Sequence, residues 1–393
     1  MKGSFYKNLA PAEKYILFCC FFMFAMNGLY GMILGSLLPL ISAEYNLSNT
    51  LGGTLISSHQ AGTLIAGFAA GILPLYIGRK RAFISLSTFA ILGFIMMTLH
   101  GNPIWLLLAF FFAGISRGSI SNFNNALVNN ISGQSTAALN FLHSTFAVGA
   151  LTGPFLVIFF VSVAGDFGWK LTALFIAFLL TVGVLLFSRT KSEYLVEATR
   201  REKLSYTFLR RKRLWVNIGI FFFYLCIEST VNGFIVTYFI EEEILSLANA
   251  QALASLLWVV MLVGRLSVAF IGNAIPKKWI LLATTVGTVV FYVFLLQTRT
   301  PLWITIAIAG LGLSMAGIYP TLIANVGKTI KDYPQCLGVI LLIGGAGAIA
   351  MPMVTGSLAD RFGIHIGMGA VIVAAALMLF CTLIELFASR KEQ

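Results

Sequence analysis

Charged residues are scarce in this chain: Asp, Glu, Lys and Arg together make up 10% of its 393 residues. Soluble domains carry about a quarter of their residues as charges, so this composition excludes an ordinary soluble globular protein. Hydrophobic residues make up 59% and fall into long uninterrupted runs. An α-helix needs roughly 20 apolar residues to cross a bilayer. The lack of charge therefore predicts helices that span a membrane.

Acidic residues are scarcer than basic ones: the chain has 14 Asp and Glu against 26 Lys and Arg, which gives a net charge of +12. If both termini are cytoplasmic, 21 of the 26 basic residues fall in cytoplasmic segments. This asymmetry follows the positive-inside rule, so the charge indicates orientation and not a nucleic-acid partner. We expect a multi-pass, monomeric protein of the plasma (inner) membrane, in contact with its lipid bilayer.

Cysteine is also scarce, and the five that are present lack the spacing of metal ligands. The sequence contains no phosphate-cradling loop and no nucleophile elbow, so an enzyme and a bound cofactor are not expected. The first apolar run is about 25 residues long and lacks a small-residue cleavage site after it. This pattern is typical of a membrane span and not of a signal peptide.

Twelve apolar runs predict an all-α membrane protein with twelve transmembrane helices. They cover 16–40, 50–76, 82–100, 103–129, 137–164, 171–188, 214–240, 250–272, 278–297, 302–327, 335–358 and 366–388. The polar stretch 189–213 is predicted to be a cytoplasmic linker that includes a surface helix. It divides the chain into two six-helix bundles, 1–188 and 214–393. Spans 1, 4, 7 and 10 are the polar ones, which is typical of repeats around a central cavity.

Glu228 is an acidic side chain deep inside an otherwise apolar run, 214–240. A charged side chain there costs about 2.5–3.5 kcal/mol on insertion scales. Tyr224 and Asn232 lie one turn away on either side, which places the three residues in one polar stripe. We interpret Glu228 as a site for a proton or another cation, with Tyr224 and Asn232 as substrate contacts. The alternative is a structural acid neutralised by a neighbouring helix.

Span 4 contains Arg117 together with several asparagines. Arg117 keeps its charge and requires an anionic or carbonyl partner. It is at about the depth of Glu228, so we expect these two residues to form a pair; backbone contacts within its own half are the alternative. Because an amide both donates and accepts, Asn124 and Asn125 suit a polyhydroxylated ligand. Asn27 in span 1 is a candidate of the same kind. Asparagines that hold helices together are the alternative.

Two spans contain histidines that can titrate near neutral pH. His143 in span 5 is a candidate coupling residue, although a structural histidine is the alternative. Asn140, His59 and Gln60 are further candidates for substrate binding. Trp258 in span 8 is positioned to stack on a sugar face or to serve as a packing residue.

Several segments resemble the major facilitator superfamily. Gly71-Ile-Leu-Pro-Leu75-Tyr-Ile-Gly78-Arg79-Lys80 is similar to its signature between helices 2 and 3, with Leu75 in place of the usual Asp. The resemblance implies gating roles for Gly78, Arg79 and Lys80, whereas the charge relay assigned to the missing Asp is not carried over. Further segments resemble the fucose:proton symporter group and its sodium-dependent glucose relatives: ALNFLHSTFAVGALTGP, YLCIESTVNGFIVTYF and GLSMAGIYPTL.

This resemblance implies the major facilitator fold, alternating access, and sugar uptake driven by a cation. The fucose carriers use acidic residues in helices 1 and 4, where this chain has Asn27 and Arg117, so Glu228 must be argued independently. We therefore predict secondary active symport of a sugar or similar polar molecule, with a proton favoured over sodium. A proton-coupled exporter of drugs or metabolites is the alternative. A receptor that senses a ligand without transporting it is a third possibility.

Overall fold

The computed structural model describes residues 9–133, 135–191, 207–271, 275–333 and 335–390. Over these ranges the chain is helical, with short turns between the helices. The helices are α1 (Pro11–Tyr45), α2 (Asn49–Ile72), α3 (Pro74–Ile77), α4 (Arg79–Leu99), α5 (Pro103–Ile131), α6 (Thr136–Ala164), α7 (Gly168–Ser188), α8 (Lys212–Glu241), α9 (Leu247–Ile271), α10 (Lys277–Gln297), α11 (Pro301–Ala316), α12 (Ile318–Asn325), α13 (Gly327–Asp332), α14 (Gln335–Phe362), α15 (Ile364–Gly369) and α16 (Val371–Arg390).

The prediction of twelve spans is confirmed. Eleven helical stretches of the described chain are long and apolar enough to cross a membrane. The longest, Ala137–Ser188, has 52 residues and contains both α6 and α7, which are separated by a 3₁₀ turn at Gly165–Phe167. Counting these two helices separately gives twelve spans, and each begins and ends within a few residues of its predicted position.

Local sequence explains several of these boundaries. Asn102 caps α5 because its side-chain oxygen accepts the backbone N–H of Ile104 at 3.0 Å, and Pro103 occupies the first turn, where no N–H is needed. Ser135 caps α6 in the same way. Gly165 ends α6 with a φ of 57°, a conformation that glycine adopts without steric cost.

The helices form two compact units. The first unit takes its described residues from Met1–Tyr45 and Ser58–Arg200, and the second takes them from Asn46–Ser57 and Arg201–Gln393. The start of α2 therefore belongs to the second unit, where Gly53 packs against the carbonyl of Pro352 in α14. The proposed linker lies mainly outside the described residues, because 192–206 are not among them; its surface helix and the 189–213 boundaries stay predictions.

Close helix packing in the first unit depends on small residues. A methyl group at Gly149 of α6 would overlap the carbonyl of Ala25 in α1. Likewise, a methyl group at Gly114 of α5 would overlap the carbonyl of His59 in α2. Small residues allow helix backbones to approach closely, which is the main route to tight packing in a membrane. These contacts fix α1 and α2 against the helices that carry the polar residues.

The four polar spans are the most buried of the described helices. At least half of the most apolar stretch is buried in spans 1, 4, 7 and 10 (72%, 50%, 61% and 56%), and the figure is at most 44% in every other candidate span. In the second unit, α8 packs against α9, α14 and α16. The unusual polar side chains of α1, α5 and α8 therefore lie on the helices that are least exposed to lipid.

Candidate functional site

A cluster of charged and aromatic residues lies in the second unit around Glu228. Helix α8 places Tyr224 and Glu228 one turn apart, so both side chains emerge on the same face. Tyr224 is buried, and its hydroxyl interacts with both the Glu228 carboxylate and the guanidinium of Arg265 from α9. One tyrosine hydroxyl therefore interacts with both a carboxylate and a guanidinium inside the membrane-spanning helices.

The indole of Trp258 extends this cluster. Trp258 and Arg265 are seven residues apart on α9, two turns along one face, and the Arg265 guanidinium lies 6.0 Å from the centre of the Trp258 ring. The indole N–H of Trp258 donates to the side-chain oxygen of Asn232 at 3.2 Å. The polar stripe predicted on α8 is therefore connected to α9 at two levels, through Tyr224 and through Asn232.

A break in the tenth span brings a further tyrosine to the cluster. Helix α11 ends at Ala316 and α12 begins at Ile318, with Gly317 between them. Tyr319, just after the break, lies within electrostatic range of Arg265 and Glu228 and is 38% exposed. Its ring also packs 5.4 Å from that of Phe221. The cluster thus combines an acid, a base and hydroxyl groups, which can bind a polar solute and hold a proton.

A second polar cluster lies in the first unit around Arg117. Asn27 of α1 donates its amide N–H to the backbone carbonyl of Arg117 at 3.4 Å. Gly31, one turn further along α1, leaves room for the guanidinium, since a methyl group there would overlap it. His59 of α2 is buried within electrostatic range of Arg117. Three predicted site residues from three helices, Asn27, His59 and Arg117, are therefore brought together.

Several buried polar atoms of this cluster have no hydrogen-bond partner within the described part of the chain. They are the side-chain oxygen of Asn27, Nε2 of His59 and both polar atoms of the Asn124 amide. Asn124 is fully buried. Because buried polar groups are normally hydrogen-bonded, these atoms mark a place where a water molecule or a solute can bind.

The other predicted binding residues contribute less to these clusters. The Asn125 amide donates to the carbonyl of Ser121 at 2.8 Å within its own helix. Asn140 and His143 of α6 are exposed, and the His143 ring packs edge-on against Phe24 at 5.4 Å. Gln60 is half-buried beside His59. Their roles in binding and coupling stay predictions.

The predicted gating residues lie where α3 meets α4. Gly78 has a φ of 80°, so a residue with a side chain would be strained in this turn. Lys80 donates to the backbone carbonyl of Thr190, beyond the end of α7, at 2.7 Å, and Arg79 is buried. Lys80 therefore connects α4 to the end of the sixth span; a role in gating stays a prediction.

Arg265 is the member of the cluster around Glu228 that the sequence interpretation missed. A second arginine inside a span was a visible signal, but nothing in the sequence shows that it meets Tyr224 and Glu228. The expected partner of Glu228 was Arg117. These two residues belong to different units, and their pairing stays a prediction.

The family is established by comparison with known proteins. The Major Facilitator Superfamily model matches residues 17–350, most of the chain. The chain belongs to this superfamily. It is therefore a multi-pass membrane transporter of small molecules and not an enzyme. The narrower resemblance to the fucose:proton symporter group stays a prediction.

Among its relatives is the Bypass of stop codon protein 6 of Saccharomyces cerevisiae, 20% identical over 90% of this chain and 79% of that protein. The Glucose/mannose transporter GlcP of Bacillus subtilis is 23% identical over 78% of each chain. The Hexuronate transporter of the same organism is 23% identical over 88% of this chain and 87% of its own.

Two solved structures share the fold. A variant of the nucleoside transporter NupG superposes with a TM-score of 0.79 at 14% identity, covering 95% of this chain and 99% of its own. A bacterial homolog of the human lysosomal transporter Spinster superposes with a TM-score of 0.78, also at 14% identity, covering 99% and 98%. The prediction of the major facilitator fold is confirmed.

Proposed function

We propose that this protein is a secondary active transporter that couples uptake of a sugar or similar polar solute to proton movement by alternating access. The observation that carries the proposal is the position of Glu228 in the middle of α8, in a cluster with Tyr224 and Arg265. Ionisable residues within spans are costly and typically mark ion pathways or substrate sites. The names of two relatives, a glucose/mannose transporter and a hexuronate transporter, support a sugar-like substrate.

Glu228 is the proposed proton carrier. The Tyr224 hydroxyl interacts with both the Glu228 carboxylate and the Arg265 guanidinium, so a carboxylate at this position is not isolated from other polar groups. In this proposal, a change in the charge of Glu228 alters this connection between α8 and α9. His143 is a second titratable group in this proposal.

Amide and aromatic side chains are the proposed substrate contacts. A side-chain amide can donate a hydrogen bond to a hydroxyl group and accept one from it, and the face of an indole ring packs well against the apolar face of a sugar ring. The proposed contacts are Asn27, His59, Gln60, Asn124, Asn125, Asn140, Tyr224, Asn232 and Trp258. The distribution of basic residues supports a plasma-membrane protein with both termini in the cytoplasm.

The test is transport by purified protein in proteoliposomes. Glu228→Gln keeps the shape of the side chain but cannot carry a proton, so it is expected to abolish accumulation driven by a pH gradient while still exchanging substrate. Glu243→Gln is the matched control, because Glu243 is an exposed acid in the turn after α8. Unchanged accumulation by Glu228→Gln would disprove the proton role. A response to a sodium gradient at constant pH would assign coupling to sodium.

A further inference from the structure

Basic residues gather at one end of the second unit, where α8 and α10 begin. The sequence reads RRKRLW over 210–215 and KKW over 277–279, so each helix start carries basic residues followed closely by a tryptophan. Arg211 donates to the side-chain oxygen of Thr329 at 2.8 Å, and Lys277 donates to the backbone carbonyl of Ala324 at 2.9 Å. Both starts are therefore attached to the same short segment, and the two basic runs lie at one end of the unit.

Acidic residues do not balance this charge. The described basic side chains at this end are those of 210–213, 277 and 278, whereas the described acids there are Asp332 of α13 and Glu385 of α16. Glu385 is buried and forms an ion pair with Arg213 at 2.7 Å, so it offsets one of the basic residues. The surface at the starts of α8 and α10 is therefore positively charged.

Two of the four basic residues before α8 hold this run in place. The guanidinium of Arg211 lies 5.6 Å from the centre of the Tyr333 ring, and Arg213 is fixed by its ion pair. The indole N–H of Trp215 donates back to the carbonyl of Leu209 at 2.8 Å. The run is thus a fixed part of the second unit, and its remaining side chains are presented in a defined position.

Arg210 and Lys212 are the two basic residues of this run that the fold does not use. Both are exposed, and their side chains make no hydrogen bond or ion pair with the described part of the chain. Lys212 and Trp215 are three residues apart on α8, which places them on one face, and Trp215 is 47% exposed. Exposed tryptophans are typical of the boundary between lipid and water. Lys212 therefore lies beside an indole at the surface of the bilayer.

Helix α16, which packs against both α8 and α10, presents an apolar stripe to its surroundings. Its exposed residues recur every three or four positions, which places them on one face: Val373, Leu377, Phe380, Ile384 and Phe387. At about 1.5 Å per residue the stripe is roughly 21 Å long, more than half of the roughly 30 Å hydrocarbon core of a bilayer. The ion pair between Arg213 and Glu385 places the end of this stripe beside the basic run.

These features together match an anionic phospholipid. Guanidinium and ammonium groups bind phosphate oxygens, and basic clusters at a membrane surface attract anionic lipids. A zwitterionic headgroup adds a cation, which the positive surface repels. A soluble phosphate compound satisfies the two free cations but leaves the indole and the apolar stripe without a contact.

We propose that an anionic phospholipid binds at this end of the second unit, with its phosphate held by Arg210 and Lys212 and an acyl chain along Trp215 and α16. Such a site is separate from the cluster around Glu228 and from the choice of substrate or coupling ion.

Lipid binding is tested with the full-length protein purified in detergent. Native mass spectrometry compares dioleoyl phosphatidylglycerol with dioleoyl phosphatidylcholine, which differ in headgroup alone. We expect phosphatidylglycerol to bind about tenfold more tightly, and this preference to shrink as the concentration of ammonium acetate is raised. Arg210→Gln/Lys212→Gln is expected to abolish the preference, whereas Arg210→Lys/Lys212→Arg keeps it because the charges remain. Arg81→Gln/Lys191→Gln, which removes two exposed cations from the first unit, is the matched control and keeps the preference.

Quenching of Trp215 locates the bound lipid. Phosphatidylglycerol with brominated acyl chains is expected to quench tryptophan fluorescence more than brominated phosphatidylcholine does, and Trp215→Phe to remove most of that difference. Equal affinity of the wild type for the two lipids would overturn the site, and so would a preference that Arg210→Gln/Lys212→Gln retains or that the control loses equally. If glycerol 3-phosphate displaces phosphatidylglycerol and the brominated lipid leaves Trp215 unquenched, the two cations bind a soluble anion and the lipid assignment is wrong.

Discussion

The carboxylate of Asp360 caps the helix that begins at Asn49. Its two oxygens accept the backbone N–H of Asn49 at 2.7 Å and that of Thr50 at 2.8 Å. These are the first residues of α2, whose N–H groups have no partner within the helix. The side-chain amide of Asn49 also donates to the carboxylate of Glu241, at the end of α8, at 3.0 Å. Two acids from α14 and α8 therefore hold the start of α2, where a negative charge also favours the helix dipole.

Replacing Asp360 is expected to lower stability. Loss of a capping side chain costs about 0.5–2 kcal/mol, and Asp360→Ala removes two charge-assisted bonds at once. Asp360→Asn keeps one acceptor and is expected to cost less. The measurement is Tm of the detergent-purified protein, with Asp332→Asn, an exposed acid of α13, as the control. A decrease in Tm for Asp360→Ala no larger than that of the control would contradict the capping role.

The helices could be predicted from the sequence because each depends on its own apolar run. The cap that Asp360 provides for α2 could not be predicted in this way. Asp360 and Asn49 are 311 residues apart, and no local pattern connects them. The same limit applies to Arg265, whose position inside a span is visible but whose contact with Tyr224 requires the packing of α8 on α9. Asn27, His59 and Arg117 were selected because polar residues are rare in spans, and that signal is local.

The buried carboxylate of Glu385 provides a second stability test. It accepts from Arg213 Nε at 2.7 Å and from the Asn217 amide at 3.1 Å, while the Arg213 side chain is 42% exposed. Arg213→Gln leaves a buried carboxylate without its ion-pair partner, which costs about 3–5 kcal/mol. Glu385→Gln leaves an arginine that water can reach, so it is expected to cost less.

The double variant Arg213→Gln/Glu385→Gln is expected to be more stable than Arg213→Gln alone, because it leaves no uncompensated charge. Urea or thermal denaturation of the four proteins gives the coupling as a double-mutant cycle. Equal losses for the two single variants, with simple addition in the double variant, would show that the pair does not contribute to stability.

Glycine contacts between α1 and α6 give a third test. A methyl group at Gly149 would overlap the carbonyl of Ala25, whereas one at Gly71 of α2 would meet no atom within 4 Å. Alanine favours a helix over glycine by about 0.8–1 kcal/mol. Gly71→Ala is therefore expected to be neutral or stabilising, and Gly149→Ala to be destabilising because the helices must separate. The measurement is the Tm of each variant by thermal denaturation. A Tm of Gly149→Ala above that of the wild type would contradict the close packing of α1 and α6.

The hydroxyl that joins Glu228 and Arg265 gives the sharpest functional test. Tyr224→Phe keeps the buried ring and removes the hydroxyl that interacts with both charged groups, and a hydrogen bond to a charged group is worth about 1.5–3 kcal/mol. Since 1.4 kcal/mol corresponds to about a factor of ten, we expect the initial rate of pH-driven accumulation to fall at least tenfold. Substrate exchange at equal pH, which requires no net proton movement, is expected to fall less.

Tyr292→Phe is the matched control for this variant. Tyr292 is also fully buried in the second unit, but its hydroxyl donates to the backbone carbonyl of Met368 at 2.8 Å. The same atom is lost in both variants, so a general effect of removing a buried hydroxyl would appear in both. Tyr292→Phe is expected to lower Tm while the ratio of accumulation to exchange stays at the wild-type value. A similar ratio in the two variants would show that Tyr224 supports the fold and not the coupling of Glu228, because only Tyr224 contacts the proposed proton carrier.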